Sequence, residues 1–180
     1  STTVATTGGS NIYTYLWSNA TTTATNSSLC PGSYTVTVTD SWGCTASGST
    51  SITQPTLLTS SITGSTPVLC NGACNGTATA AGAGGTGAFT YSWNTVPIQT
   101  SATATGMCAG SYTVTVRDAN NCTSTATVTI TQPSVLTSAI TVQTNVNCFG
   151  GSTGSVTVAG SGGTPTYQYS INGGTTYQVS

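Results

Sequence analysis

Seven cysteines, Cys30, Cys44, Cys70, Cys74, Cys108, Cys122 and Cys148, are the side chains of this 180-residue sequence best equipped for chemistry. Two aspartates, Asp40 and Asp118, and one arginine, Arg117, are its only charged side chains. Cysteines either ligate a metal as thiolates or pair oxidatively. A closed zinc site needs four Cys or His ligands in one place. The sequence has no His, and although Cys70 and Cys74 approach a ligand spacing, no CxxC pair recurs. Disulfide formation in an oxidising, extracellular setting is the better reading, and no metal or cofactor is expected.

The remaining charged groups exclude several functions. Acid–base catalysis needs titratable groups that converge, whereas Asp40 and Asp118 stand in matching places 78 positions apart. A non-catalytic protein is expected. A single arginine cannot neutralise a phosphate backbone or form a basic patch for anionic lipid, so nucleic acid is not an expected partner. No apolar run nears the roughly 18 residues that span a bilayer, and no membrane insertion is expected. Ser1 does not open a charged n-region followed by an apolar h-region, so the segment reads as mature or internal.

The elements that must hold the cysteines emerge from internal self-similarity. CPGSYTVTVTDSWGC, starting at Cys30, returns 78 positions later as CAGSYTVTVRDANNC, starting at Cys108. Three copies are expected, 1–55, 56–133 and 134–180, of which only the middle one is whole. Trp17 pairs with Trp93 at an offset of 76, so the loop around Val96 carries two extra residues in the second copy. Within a copy the period is two. In Tyr112-Thr113-Val114-Thr115-Val116-Arg117 the apolar side chains share one face, as in a half-buried antiparallel strand.

Further strands are expected over 57–63, 76–81, 88–93, 101–105 and 127–131, in the order A, B, C, a short C′ or E pair, F and G. The 118–121 stretch has hairpin chemistry. With no helical period, the expected fold is all-β: tandem immunoglobulin-like β-sandwich repeats of about 78 residues forming an elongated rod. Trp17 and Trp93 are expected in the core. Tyr34 and Tyr112, each two residues after a glycine at the mouth of strand F, are expected to form tyrosine corners.

This order places the A–B and E–F turns at one end of the sandwich, close enough to pair Cys74 with Cys108. Ser152 replaces the second cysteine of the third copy, which makes that bridge optional. Cys122 opens strand G at the other end. About seven residues span roughly 23 Å, well beyond the ~7 Å limit between bridged Cα atoms. Cys70 and Cys122 could still pair if strand A is short, or pair with neighbouring units; the partners of Cys30, Cys44 and Cys148 stay open.

The string CFGGSTGSVTVAGSGGTPTYQYSING from Cys148, and the block AGSYTVTVRDANNCTSTATVTITQP with its partner PGSYTVTVTDSWGCTASGSTSITQP, resemble the SprB-type repeats of Bacteroidetes cell-surface gliding adhesins. The resemblance implies a large secreted, surface-displayed protein with tandem immunoglobulin-like units, exported by the type IX system. It implies no catalytic residues.

The expected function is structural: a repeat segment of an extracellular filament or surface stalk, stapled by disulfides, whose partners are copies of itself in a fibre or longer chain. Both ends are expected to cut a copy open, so the sequence reads as a window on a longer polypeptide, with completion of the missing edges by strand addition as the alternative. The alternative is an adhesin module that binds surface polysaccharide through Trp42, Tyr13 or Tyr177. Trp42 leads because the second copy has Ala119-Asn120 in that hairpin. Asn19, Asn26, Asn75 and Asn121 lie in Asn-x-Ser/Thr sequons and are candidate glycosylation sites.

Overall fold

The computed structural model describes residues 1–10 and 12–179. It divides into two compact units, Ser1–Pro55 and Thr56–Ser180, so the second and third sequence copies group together. The described residues are all-β. None of their helices is long and apolar enough to cross a membrane, there being none of that kind among them.

The first unit contains β1 (Thr2–Thr3), β2 (Tyr13–Trp17), β3 (Thr25–Asn26), β4 (Gly32–Asp40) and β5 (Thr45–Ile52). β1 pairs with β3, while β2, β4 and β5 form a three-stranded antiparallel sheet with β4 in the centre. Trp17 and Val36 are buried.

The second unit begins with β6 (Thr59–Thr66), β7 (Gly76–Ala83), β8 (Thr90–Trp93), β9 (Thr103–Met107), β10 (Gly110–Arg117) and β11 (Thr123–Ile130). One sheet runs β6-β7-β9 and the other β11-β10-β8. In immunoglobulin lettering these are A-B-E and G-F-C, the strand arrangement of that sandwich without its D strand. The expected C′ or E pair is therefore a single strand, β9. Residues 95–101 form a loop instead, because Thr95 Oγ1 donates to the Pro97 carbonyl (2.8 Å) and accepts from the Gln99 amide (3.1 Å).

Alternation along β7, β10 and β11 gives each sheet one apolar face, to which β9 adds Ala104 and Met107, three residues apart. Ala78, Ala80, Ala104 and Met107 from the first sheet share one buried cluster with Trp93, Val114, Val116 and Ile130 from the second, joined by Val68. Small alanines on one side accommodate a large indole on the other, as close packing requires. Gly76 shows how tight the fit is. A Cβ there would lie 2.7 Å from Ile130 Cγ2 and 2.9 Å from the Met107 carbonyl oxygen.

The chain continues through β12 (Thr137–Thr144), β13 (Ser155–Ser161), β14 (Gln168–Tyr169) and β15 (Gln178–Val179). β12 and β13 form a hairpin with a bulge between Ile140 and Val142, at the positions equivalent to the Ile62/Gly64 bulge of β6 and β7. Every residue of β12 is exposed.

Candidate functional site

The cysteines separate into one bridge and five thiols. Cys74, in the A–B turn, is bonded to Cys108, between β9 and β10, with Cα atoms 3.8 Å apart. The bridge spans 34 positions of chain; closing a loop of that length restricts the unfolded state by about 3–4 kcal/mol. Cys30, Cys44, Cys70, Cys122 and Cys148 are free and exposed. The expectation of several staples thus reduces to one. Geometry explains Cys70 and Cys122: the first sits in the A–B turn, where its carbonyl accepts from the Ala73 amide (3.0 Å). The second sits in the β10–β11 hairpin at the opposite end of an eight-residue strand, about 26 Å away. No group of three or more potential metal ligands occurs among the described residues.

The aspartates work on backbone. Asp118 is buried. Its Oδ1 accepts from the amides of Asn120 and Cys122 (both 2.9 Å), and its Oδ2 accepts from the Thr86 amide (2.9 Å). One carboxylate thus closes the F–G hairpin and ties it to the B–C turn. A carboxylate so bonded needs no counterion. Asp40 repeats half of this, accepting from the Trp42 and Cys44 amides at 2.9 Å each. The fourth hairpin residue has positive φ in both copies, Asn121 at 66° and Gly43 at 85°. These two residue types are among the few that tolerate that conformation. Among the described residues the Arg117 guanidinium donates only to Asn121 Oδ1, at 3.5 Å.

Trp17 and Trp93 lie in the cores, their Nε1 atoms donating to the carbonyls of Thr23 (2.9 Å) and Ser101 (3.0 Å). Tyr34 and Tyr112 are half-buried, and each hydroxyl donates to the carbonyl four residues upstream, Cys30 at 3.0 Å and Cys108 at 3.2 Å. The three proposed ligand-contact aromatics differ. Trp42 is 86% exposed and Tyr177 60%. Tyr13 is half-buried and its hydroxyl donates to the Gly8 carbonyl, so it is committed to the fold rather than displayed. Beside Trp42 lies a shallow recess of about 240 Å³ formed with Gly9, Ser10, Asp40 and Cys44.

The sequons also divide. Asn26 is 2% exposed, and its side-chain amide donates to Asn19 Oδ1 at 3.0 Å, so it is removed from the candidate glycosylation sites. Asn19, Asn75 and Asn121 are exposed.

Sequence reasoning missed two features. Gln99 makes a bidentate pair with the backbone of Thr105, accepting from its amide and donating to its carbonyl at 2.9 Å each. The two-residue insertion at this loop was the available signal. The second feature is a groove of about 510 Å³ in the first unit, floored by Trp17, Val36 and Val38 and walled by the Thr2–Gly9 segment and β5. The open edge expected in the first copy pointed to it.

The SprB repeat model matches residues 62–97 and 140–176. No curated protein matches. Among solved structures, the C-terminal 282-residue fragment of intimin, crystallised with the intimin-binding domain of the translocated intimin receptor, is 20% identical; the match covers 71% of this chain and 53% of the fragment, with a TM-score of 0.38. The N-terminal eight immunoglobulin domains of Down syndrome cell adhesion molecule isoform 1.30.30 are 13% identical, with 76% and 21% covered and a TM-score of 0.35. The chain thus spans about half of the first of these proteins and a fifth of the second. The two matched stretches, one beginning in strand A of the middle copy and one in the equivalent strand of the third, are similar to SprB repeats.

Proposed function

We propose that this chain is a structural, non-catalytic repeat segment of an extracellular filament or surface stalk, built from sandwich units and associating with further copies of itself. The observation that carries this reading is how the chemically capable side chains are used. Asp118 holds three backbone amides, Cys74 and Cys108 hold each other, and Trp93 and Tyr112 donate to carbonyls of their own sandwich. Side chains committed to architecture and a formal net charge of −1 leave a surface with little electrostatic repulsion between copies. A disulfide suits an oxidising exterior. The SprB match supports surface display, and with it export by the type IX route in a Bacteroidetes cell. Electron microscopy of native material is the test: filaments or surface stalks are expected, and dispersed globular particles would overturn the reading.

One observation favours an adhesin that binds surface polysaccharide. Trp42 presents an indole at 86% exposure next to the Asp40 carboxylate and to Ser41, whose hydroxyl bonds Ser10 Oγ at 2.6 Å. An aromatic face beside polar groups is a suitable stacking platform for a sugar ring. Attachment of displaying cells to glycan-coated surfaces, compared with Trp42→Ala, separates the two: unchanged attachment removes the adhesin.

A further inference from the structure

A sheet ends in unpaired backbone groups, and proteins ordinarily guard such edges with charge, above all with lysine. This sequence has no Lys and a single arginine, Arg117. Its strands are nearly uncharged and rich in Thr and Val, a composition that pairs readily with copies of itself. An edge in this molecule therefore needs another kind of protection.

In the middle copy β8 ends one sheet and β9 the other, with no further strand beside either among the described residues. Asn94 donates to the Thr113 carbonyl on the β10 side (3.1 Å), so by alternation Tyr91 and Trp93 turn their backbone groups outward. The Ala102 carbonyl accepts from the Ala80 amide on the β7 side (2.9 Å), so Thr103 and Thr105 turn theirs outward.

Gln99 occupies both edges at once. Its carbonyl accepts from the Trp93 amide (2.9 Å) in an antiparallel bridge. Its side-chain amide, which has the donor and acceptor of a peptide group, takes both backbone groups of Thr105 at 2.9 Å each. Its own amide donates to Oγ1 of the buried Thr95 (3.1 Å), so all four of its polar groups are in use. The tip of the same loop packs against nothing: Val96 is 100% exposed and Ile98 67%. What orders this loop is its bonding to the edges, not apolar burial at its tip.

The first unit shows which part of this is an addition. Thr21 stands at the Gln99 position, 78 residues earlier, in the loop that is two residues shorter. Its carbonyl makes the same bond to the Trp17 amide (2.9 Å), but a threonine side chain is too short to span to the next strand. The hold on the β8 edge thus belongs to both copies, and the hold on the β9 edge comes with the insertion and its glutamine.

We propose that Gln99 is an edge guard, plugging the open edges of both sheets of the middle copy and excluding strands of other copies of this chain. Of the two outward-facing residues on each edge strand it takes one, so an incoming strand meets a single free position and then an obstacle. Copies that associate do so through faces or chain connections and not by extending these sheets. The guard acts within one sandwich, so it goes beyond the filament reading and stands or falls separately from it.

Full-length chains with Cys30, Cys44, Cys70, Cys122 and Cys148 changed to Ser, which removes association through thiols, provide the test. They carry Gln99→Ala or Gln99→Glu, both of which lose the bond to the Thr105 carbonyl. Only the glutamate puts a charge on the edge, and an edge charge repels strand addition. Light scattering should find Gln99→Ala associating at about one-tenth of the concentration that the parent needs, the factor expected when a new strand has one or two fewer bonds to displace. Gln99→Glu should behave like the parent. A synthetic 123–130 peptide, the β11 strand, should bind Gln99→Ala about tenfold more tightly than it binds the parent. If Gln99→Ala does not fold, Gln99→Met, which keeps the side-chain length and none of its bonds, takes its place. Association of Gln99→Glu equal to that of the alanine variant overturns the proposal, because loss of a structural bond would then explain both. A folded Gln99→Ala that neither associates more readily nor binds the peptide better than the parent overturns it too, and leaves Gln99 an anchor of its loop.

Discussion

The first unit and the middle copy share a hairpin, a tryptophan and a tyrosine corner, yet their interiors differ. Val114 and Val116 are 0% exposed, whereas Val36 is 5% exposed and Val38 only half-buried. Asp118 is buried with three amide donors, whereas Asp40 is half-buried with two. One strand accounts for this. β6 brings Leu58 and Ile62 over the core of the middle copy, and Leu58 Cδ1 would lie 3.2 Å from a Cβ on Gly85, beside Asp118. A sheet edge is thus more than a boundary here, because it closes the core from one side and the hairpin network from the other.

The sharpest way to break the comparison is to remove the indole from each interior. Trp93→Ala should destabilise the middle copy by about 3–5 kcal/mol, the range for deleting a large buried aromatic. Trp17→Ala should cost roughly half of that, because Val36 is the only other buried apolar side chain among the described residues of the first unit. Urea titrations followed by near-ultraviolet circular dichroism should show the two transitions shifting by different amounts; equal shifts would mean that β6 does not close the core.

The next contrast is covalent. Only the middle copy has a bridge among the described residues, since Ser152 stands where the third copy would place a second cysteine and the partner Cys30 is free. Cys108→Ser should lower the stability of the middle copy by about 2–4 kcal/mol and leave the transition of the first unit in place. A parallel loss in both would show that the bridge acts beyond its own sandwich.

Much of this was legible in the sequence because alternation and repetition are local signals. The Tyr112 to Arg117 pattern specified strand F, and its echo at Tyr34 specified the same strand in the first unit. Turn residues placed the F–G hairpin. What depended on long-range packing was less legible. Leu58, Val68 and Met107 carry no periodic signal that separates them from exposed Leu57 or Leu69, and their burial follows from the closing of two sheets. Asn26 resembles any sequon until its amide is seen against Asn19. The exposed thiols were equally hidden, because pairing depends on which end of a strand each cysteine occupies.

A smaller effect compares the two hairpin carboxylates. Asp118→Ala leaves three amides without their acceptor in a buried setting and should cost about 2–3 kcal/mol, whereas Asp40→Ala in a half-exposed one should cost about 1 kcal/mol. Amide hydrogen exchange reads this directly. Thr86, Asn120 and Cys122 should all lose protection in the first variant, and Trp42 and Cys44 in the second. Retained protection at Thr86 would mean that the B–C turn is held by its own backbone, independently of the carboxylate.

The smallest expected effect on stability concerns the residue that differs most between the hairpins. Trp42 occupies the position of Asn120, and both follow an aspartate that bonds their amide at 2.9 Å. The turn therefore uses the backbone of this position, and the side chain is free to vary. At 86% exposure the indole gains little from folding, so Trp42→Ala should change stability by no more than about 0.5 kcal/mol. On either proposed reading the ring is a candidate contact, and its fluorescence should shift when a ligand or a neighbouring copy covers it. Because Trp17 and Trp93 are buried, the exposed emission of this protein comes chiefly from Trp42, and iodide quenching before and after assembly isolates it. Protection on assembly would place the ring in a contact between copies, whereas protection only on adding polysaccharide would assign it to adhesion.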